Sequence, residues 1–249
     1  MFSVSCSKLC KSFPDQQPLQ DLSFTFRAGE ITSIVGESGC GKTTLLRLIA
    51  GLEKVDSGVI SFVDGSNQQS QRHPVISTVF QEPRLFPWLT ARQNIALAVR
   101  HKPMAEQKAL VEDTLQIVGL SAAADKYPHQ LSGGMAQRVG MARALCRHPD
   151  VLLLDEAFSA LDALTRERLR SEFINIARAR PMTTILVTHD VPEAVLLSKC
   201  ICKLKNGRIQ NVWHLESDYP RSIGQPAVAA LADEILNSFF SNTNNDHSL

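Results

Sequence analysis

The sequence predicts an α/β domain with a mixed sheet and an inserted helical segment, and three observations carry that expectation. A continuous apolar run at 151–154 reads as a parallel strand buried on both faces, and 184–187 as the next buried strand. A glycine-rich loop at 36–44 separates a strand pattern from a helix pattern. Between Pro83 and Pro149 the periodicity is helical, with no convincing strand.

Taken in chain order, residues 3–8, 22–27 and 30–35 alternate or cluster as strands, the last with Ile31, Ile34 and Val35. After Gly41, Leu45, Leu46, Leu48 and Ile49 fall on a helix closed by Gly51. Strands are expected at 59–63 and 75–80, joined by a polar loop at 66–73. Helices follow at 90–99, 104–118 and 133–147. Leu164, Leu169, Phe173 and Ile176 trace the apolar face of another helix. Runs at 201–204 and 209–212 flank Asn206-Gly207, the signal of a two-residue type I′ hairpin. Beyond Pro220, Val228, Leu231, Ile235, Leu236 and Phe239 repeat at helical spacing. That stripe packs on its own core or binds a partner; the closing SNTNNDHSL reads as disordered.

Length and charge narrow the function classes. A chain of 249 residues holds one domain with a subdomain rather than several full domains. With 26 basic and 25 acidic residues the net charge is +1, which leaves no electrostatic footprint for nucleic acid and no polybasic membrane anchor. No stretch reaches the roughly eighteen apolar residues of a spanning helix. The start, MFSVSCSKLC, lacks the charged and apolar regions of a secretory leader, so an intracellular protein is expected. The six cysteines form no C-x-x-C pair. Cys200 and Cys202, two apart in a strand pattern, read as reduced packing residues, with metal binding as the sharper alternative.

The loop GESGCGKTT fits G-x-x-x-x-G-K-[ST] in the context that motif requires, after a strand and opening a helix. Gly36, Gly39 and Gly41 let the backbone turn and bring amide N–H groups to phosphate oxygens, with Glu37, Ser38 and Cys40 between them. The helix N-terminus at Lys42, Thr43 and Thr44 adds unpaired donors and positive dipole. Lys42 is a point charge for the β- and γ-phosphates, and the Thr43 hydroxyl is placed to ligate Mg²⁺. The expected fold is therefore a P-loop NTPase core, discontinuous over 1–83 and 148–220. A helical subdomain occupies 84–147, and a C-terminal helix and tail occupy 221–249.

VLLLDE, at 151–156, supplies the second half. A buried strand ending in a carboxylate sets Asp155 at the carboxyl edge of the sheet, where open α/β sheets bind ligands. Asp155 is expected to hold the Mg²⁺ shell, and Glu156 to orient or deprotonate the attacking water. Ser132, Gly133 and Gly134, in LSGGMAQRVGMARAL, form a further amide-rich helix start and so a second anion site.

With these motifs in this order, the sequence resembles the ATP-binding subunit of ATP-binding-cassette (ABC) transporters over roughly residues 13–213. LSGG at a helix start is that family's signature. The resemblance implies that two chains pack head to tail, as a homodimer or with a paired ABC subunit, each signature closing over the other's ATP. It also implies that Phe13 stacks on adenine, although a core phenylalanine is the plainer reading of one aromatic. Gln81, in VFQEP, is implied to sense Mg²⁺ and the γ-phosphate, Asp162, in SALD, to reach across the dimer, and His189, in VTHD, to contact the γ-phosphate. Many importers have proline where this chain has Ala157; proline fixes φ without supplying chemistry.

The absence of a fused membrane segment implies separate permease subunits and a peripheral place at the cytoplasmic face of the inner membrane. Two stretches, FQEPRLFPWLTARQNI and FSALDALTR, look most like the nitrate, sulfonate and taurine importers, with thiamine-precursor importers close by. In such systems a separate binding protein selects the substrate. The apolar cluster Leu85, Phe86, Pro87, Trp88 and Leu89 is either plain core or the surface on which the permease docks. A soluble ABC ATPase of DNA repair or translation is the alternative, but the long coiled coil or second cassette of those proteins has no counterpart here. A non-hydrolysing module is expected to lack the carboxylate that Glu156 provides.

Overall fold

The computed structural model describes residues 1–65, 72–159 and 161–240. The tail SNTNNDHSL and residues 66–71 of the polar loop lie outside the described residues. Three strands, β1 (Phe2–Phe13), β2 (Gln16–Phe26) and β4 (Ser57–Asp64), form an antiparallel sheet in the order β2-β1-β4. A second sheet runs β5-β6-β7-β3-β8-β9, with β3 (Ile31–Val35), β5 (Ile76–Val79), β6 (Val151–Asp155), β7 (Thr183–Thr188), β8 (Cys200–Lys205) and β9 (Arg208–His214). All its pairings are parallel except β8 with β9. The predicted mixed sheet is thus present.

Burial explains which sequence patterns were clear. Every residue of β3 and β7 is buried, including the polar Thr32, Ser33, Thr183, Thr184 and Thr188, because both faces of a central parallel strand are covered. Helix α1 (Lys42–Ile49) and the first sheet enclose one core around Leu9, Leu22, Phe26, Leu45 and Ile49. Helix α5 (Ala163–Ala179) covers the other face through Leu169, Phe173 and Ile176. Leu164, expected on that stripe, is 86% exposed in the first turn of α5. The hairpin forms as predicted, with Asn206 at φ 49° and Gly207 at φ 72°.

Between β5 and β6 lie α2 (Ala91–Ala96), α3 (Met104–Ile117) and α4 (Gly133–Leu145), with three short 3₁₀ turns among them. They enclose a core of their own, including Ile95, Val99, Val111, Leu115, Val139 and Ala142. Thr90 caps α2 with a reciprocal Gln93 contact, so that helix starts one residue later than its pattern suggested. At the chain's end, α7 (Pro226–Phe240) packs Val228, Ala232 and Ile235 on α6 (Val191–Leu197), the core-packing alternative of the two. Cys200 and Cys202 are both buried, and burial pushes the Cys200 thiol up to about 11.

Candidate active site

Strand register brings the chemistry to one edge. Val35 of β3 pairs with Thr188 of β7, Val187 of β7 with Asp155 of β6, and Leu154 of β6 with Val79 of β5. The strands are parallel, so their next residues leave the sheet on the same side: Gly36, His189, Glu156 and, two residues past β5, Gln81. This is the carboxyl edge, where open α/β sheets bind ligands. Gln81 therefore sits in an exposed loop just beyond its strand, rather than at the strand's end as its pattern suggested.

The loop has the shape an anion needs. Gly39 and Gly41 have φ of 81° and 107°, in the left-handed region where a side chain is strained. A Cβ on Gly36 would stand 2.4 Å from Leu204 O, so only hydrogen fits against the adjacent strand. No side chain caps α1, whose first turn contains no acid, so its leading N–H groups are left for a ligand. Lys42 is buried and its Nζ donates to Gly36 O at 2.7 Å and Glu37 O at 2.8 Å.

Two contacts join this loop to the acidic strand and the strand beyond. Thr43 Oγ1 donates to Asp155 Oδ1 at 3.0 Å. His189 Nδ1 lies 3.2 Å from Glu156 Oε2. Burial raises the Asp155 carboxyl above its ordinary range and the Glu156 charge adds to this, while the Thr43 hydroxyl and the Arg47 and Lys42 charges oppose it. Glu156 has φ 48° without being glycine, a conformation that costs about 1–3 kcal/mol and persists only when its surroundings hold it. They do: its N–H donates to Val187 O at 2.9 Å, and Ser159 Oγ donates to its carbonyl at 2.8 Å.

The other predicted residues stand in two further groups. Phe13 ends β1 half-buried at the β1–β2 turn, with Lys11 Nζ 5.2 Å from its ring centre, so it is not an ordinary core side chain. Ser132 caps α4 by accepting from Met135 N–H at 3.2 Å, and Gly133 has open space where a Cβ would stand. Gly134 lies against Thr165 of α5, whose N-cap is Asp162. Thr165 holds the Asp162 carboxyl below its ordinary range by hydrogen bonding to it. Among the described residues no hydrogen bond or ion pair joins Ser132, Gly133, Gly134 or Asp162 to the loop at 36–44.

Sequence reasoning missed the side chains that brace these groups. Arg166 of α5 donates to Phe158 O, Ser159 O and Leu161 O, fixing the turn after Glu156. Arg170, one turn on, donates to Asp190 Oδ2 at 3.0 Å and Glu193 Oε1 at 2.9 Å, fixing the turn after His189. Their spacing of four on one helix face was the only sequence signal. Asn94 is likewise buried and holds the loop that carries Trp88 through Phe86 N–H, Phe86 O, Leu89 O and Thr90 O.

The profile described as "ABC transporter" matches residues 19–159, more than half of the chain. The chain belongs to the ABC transporter family. Among curated relatives of this ABC chain, the nitrate import ATP-binding protein of Synechococcus elongatus is 49% identical over 208 residues, 82% of this chain and 31% of that protein. A bicarbonate transport ATP-binding protein from the same species is 45% identical, covering 94% of this chain and 37% of that one. The chain thus spans about a third of the length of these relatives. The aliphatic sulfonates import ATP-binding protein of Bacillus licheniformis is 44% identical, covering 89% of this chain and 86% of that one. A dimeric bacterial ABC transporter cassette superposes with a TM-score of 0.75 at 28% identity, covering 86% of this chain and all of that one. A post-hydrolysis state of the same cassette, bound to ADP and Pi, gives 0.74 at 29%. The P-loop NTPase fold expected from the sequence is therefore the fold of this chain.

Proposed function

We propose that the chain is the ATP-binding and ATP-hydrolysing subunit of an importer, acting as a head-to-tail dimer against separate permease subunits. The observation that carries the reading is the junction at the sheet edge, where Thr43 of the loop meets Asp155, Lys42 is held by the loop carbonyls, and Glu156 meets His189. In this reading the amides of residues 36–44 cradle the phosphates, and Lys42 exchanges its loop carbonyls for β- and γ-phosphate oxygens. Phe13 stacks on adenine. Glu156 takes the proton of the attacking water, with His189 Nδ1 orienting the carboxylate and its other ring nitrogen free to face the γ-phosphate. Phosphoryl transfer is mostly positioning and electrostatics, which is what a strained but braced Glu156 supplies.

The donor set at Asp155 and Thr43 suits Mg²⁺: two oxygen ligands 3.0 Å apart, the carboxylate buried enough to gain from a neighbouring cation. Thr43, Asp155 and Gln81 would hold the ion, which when bound neutralises charge on the β- and γ-phosphates. Ser132, Gly133 and Gly134 complete the partner chain's site, with Asp162 reaching across. Their distance in contacts from this chain's own loop supports that assignment, as does the dimeric cassette it resembles. The core over 1–83 and 148–220 and the signature subdomain over 84–147 are then the units that move against each other.

The relatives named for nitrate, bicarbonate and aliphatic sulfonates support a small oxyanion as the transported class, selected by a separate binding protein. Among the described residues no helix is long and apolar enough to cross a membrane. Attachment at the cytoplasmic face through the permease is the corresponding proposal, with the loop around Trp88 as the docking surface.

Glu156→Gln should bind ATP and accumulate as a dimer with hydrolysis nearly lost; hydrolysis near the wild-type rate overturns the role of Glu156. Mixing Lys42→Ala with Ser132→Arg subunits tests the dimer, because a mixed dimer keeps one composite site free of both defects. Recovered activity is expected. No recovery, under conditions where mixed dimers are shown to form, overturns the idea of a self-sufficient composite site.

A further inference from the structure

Helix α4 starts at the signature glycines and continues into the interior. One turn in stands Gln137, only 2% exposed. Its amide nitrogen carries two hydrogens, and both have backbone partners outside the helix. Nε2 donates to Phe80 O at 3.2 Å and to Ala157 O at 2.8 Å. Phe80 immediately precedes Gln81, and Ala157 immediately follows Glu156. One side chain thus spans the two segments that present the glutamine and the glutamate to the sheet edge.

Among the described residues, the other hydrogen bonds from this helix to the two segments all go to the Gln81 side. Gly140 lies against Pro83, where a Cβ would come within 3.4 Å of Pro83 Cα. Arg143 donates to Pro83 O at 2.9 Å and Arg84 O at 3.0 Å. On the Glu156 side, no other described side chain donates to Ala157 O. We propose that Gln137 is a positioning residue for hydrolysis. It sets the spacing between Gln81 and Glu156 and ties both to the helix whose first turn serves the partner's nucleotide. The inference rests on the proposed function for the roles of Gln81 and Glu156.

The chemistry singles out an amide. Methionine fills similar space but donates nothing, and glutamate places a carboxylate against two carbonyl oxygens. Neither change touches the loop at 36–44. Full-length Gln137→Met and Gln137→Glu should therefore each bind one ATP per chain, with Kd and KM within about twofold of wild type, while kcat falls about tenfold or more, equivalent to about 1.4 kcal/mol of barrier. A purely structural role would instead lower binding stoichiometry and kcat together as the folded fraction falls. If Gln137→Met is too unstable to assay, Gln137→Glu, identical in shape, carries the test. A wild-type kcat at full binding stoichiometry overturns the proposal, as does failure of both variants to bind one ATP per chain. Glu156→Gln is measured alongside. If it still hydrolyses ATP, the proposed function fails at Glu156; if it is inactive while both Gln137 variants keep wild-type kcat, only the inference about Gln137 falls.

Discussion

Trp88 stands 68% exposed in a loop whose backbone is pinned from beneath by Asn94, with the Phe86 ring 5.4 Å away. Rigid presentation of an exposed aromatic is what an interface anchor requires. Trp88→Ala separates docking from folding because the two costs differ in size. Truncating a fully buried tryptophan costs about 3–5 kcal/mol. With roughly a third of the ring covered, the change should cost the isolated subunit about 1–1.5 kcal/mol. At about 2–4 °C per kcal/mol for a domain of this size, the melting temperature should fall by about 2–6 °C. Docking should lose about 2 kcal/mol or more, roughly thirtyfold in affinity. Thermal melts and ATPase assays of the isolated subunit measure the first effect. Co-purification of transmembrane subunits with the tagged ATPase from detergent-solubilised membranes measures the second. A melting temperature lowered by more than about 10 °C, or a lost basal ATPase, refutes the reading of Trp88 as an exposed anchor. Undiminished co-purification refutes its part in docking.

Arg170→Leu leaves Glu193, 2% exposed, without its cation. Breaking a buried pair costs about 3–5 kcal/mol, so a melting temperature lower by about 6–20 °C is expected at neutral pH. Burial raises the Glu193 carboxyl above its ordinary range, opposed by the Thr188 hydroxyl and by Arg170. A raised folded value gives stability that is full below the unfolded carboxylate range and lost as pH rises through the folded value. The variant's deficit should therefore narrow as melts are taken towards acid pH, and a deficit independent of pH would contradict this. Burial also raises the Cys40 thiol, opposed by the Lys42 charge beside it. Alkylation by a bulky reagent should be slow at neutral pH, faster as pH rises, blocked by ATP and absent in Cys40→Ser. Unchanged sensitivity of the serine variant would move the reactive thiol elsewhere, first to the half-buried Cys10.

The parts legible in the sequence are those where one physical requirement dominates a short stretch. Strands β3, β6 and β7 are buried along nearly their whole length, so each carries apolar residues on both faces, without interruption in Val151–Leu154 of β6. Gly39, Gly41 and Gly207 answer backbone conformations that few other residues adopt. Where requirements compete, the pattern blurred. Strand β1 runs to Phe13 through bulges and a positive φ at Lys8, which broke the alternation after residue 8. Strand β2 begins at Gln16 despite Pro18, well before the alternation at Leu22. Gln137 and Asn94 gave no sign of their roles, and Arg170 only its spacing from Arg166, because a buried polar side chain is identified by partners that only the folded chain supplies.

The place of β3 in the sheet has a consequence for synthesis. In the first sheet, partners are close in the chain: Phe13 pairs with Gln16, and β1 is completed by β4, which ends at Asp64. The strand that aims the phosphate loop is different. Ile31 pairs with Thr184, and Thr32 with Cys200. Closing so long a loop comes late, since its entropy cost must be met before the contact is gained. A nascent chain therefore carries the sequence GESGCGKTT from early on, but lacks the shaped site until β7 and β8 have left the ribosome. A nucleotide that binds only the finished site adds its stabilisation to complete chains and none to interrupted ones. A nucleotide at that site therefore favours chains that contain β7 and β8 over copies interrupted before them.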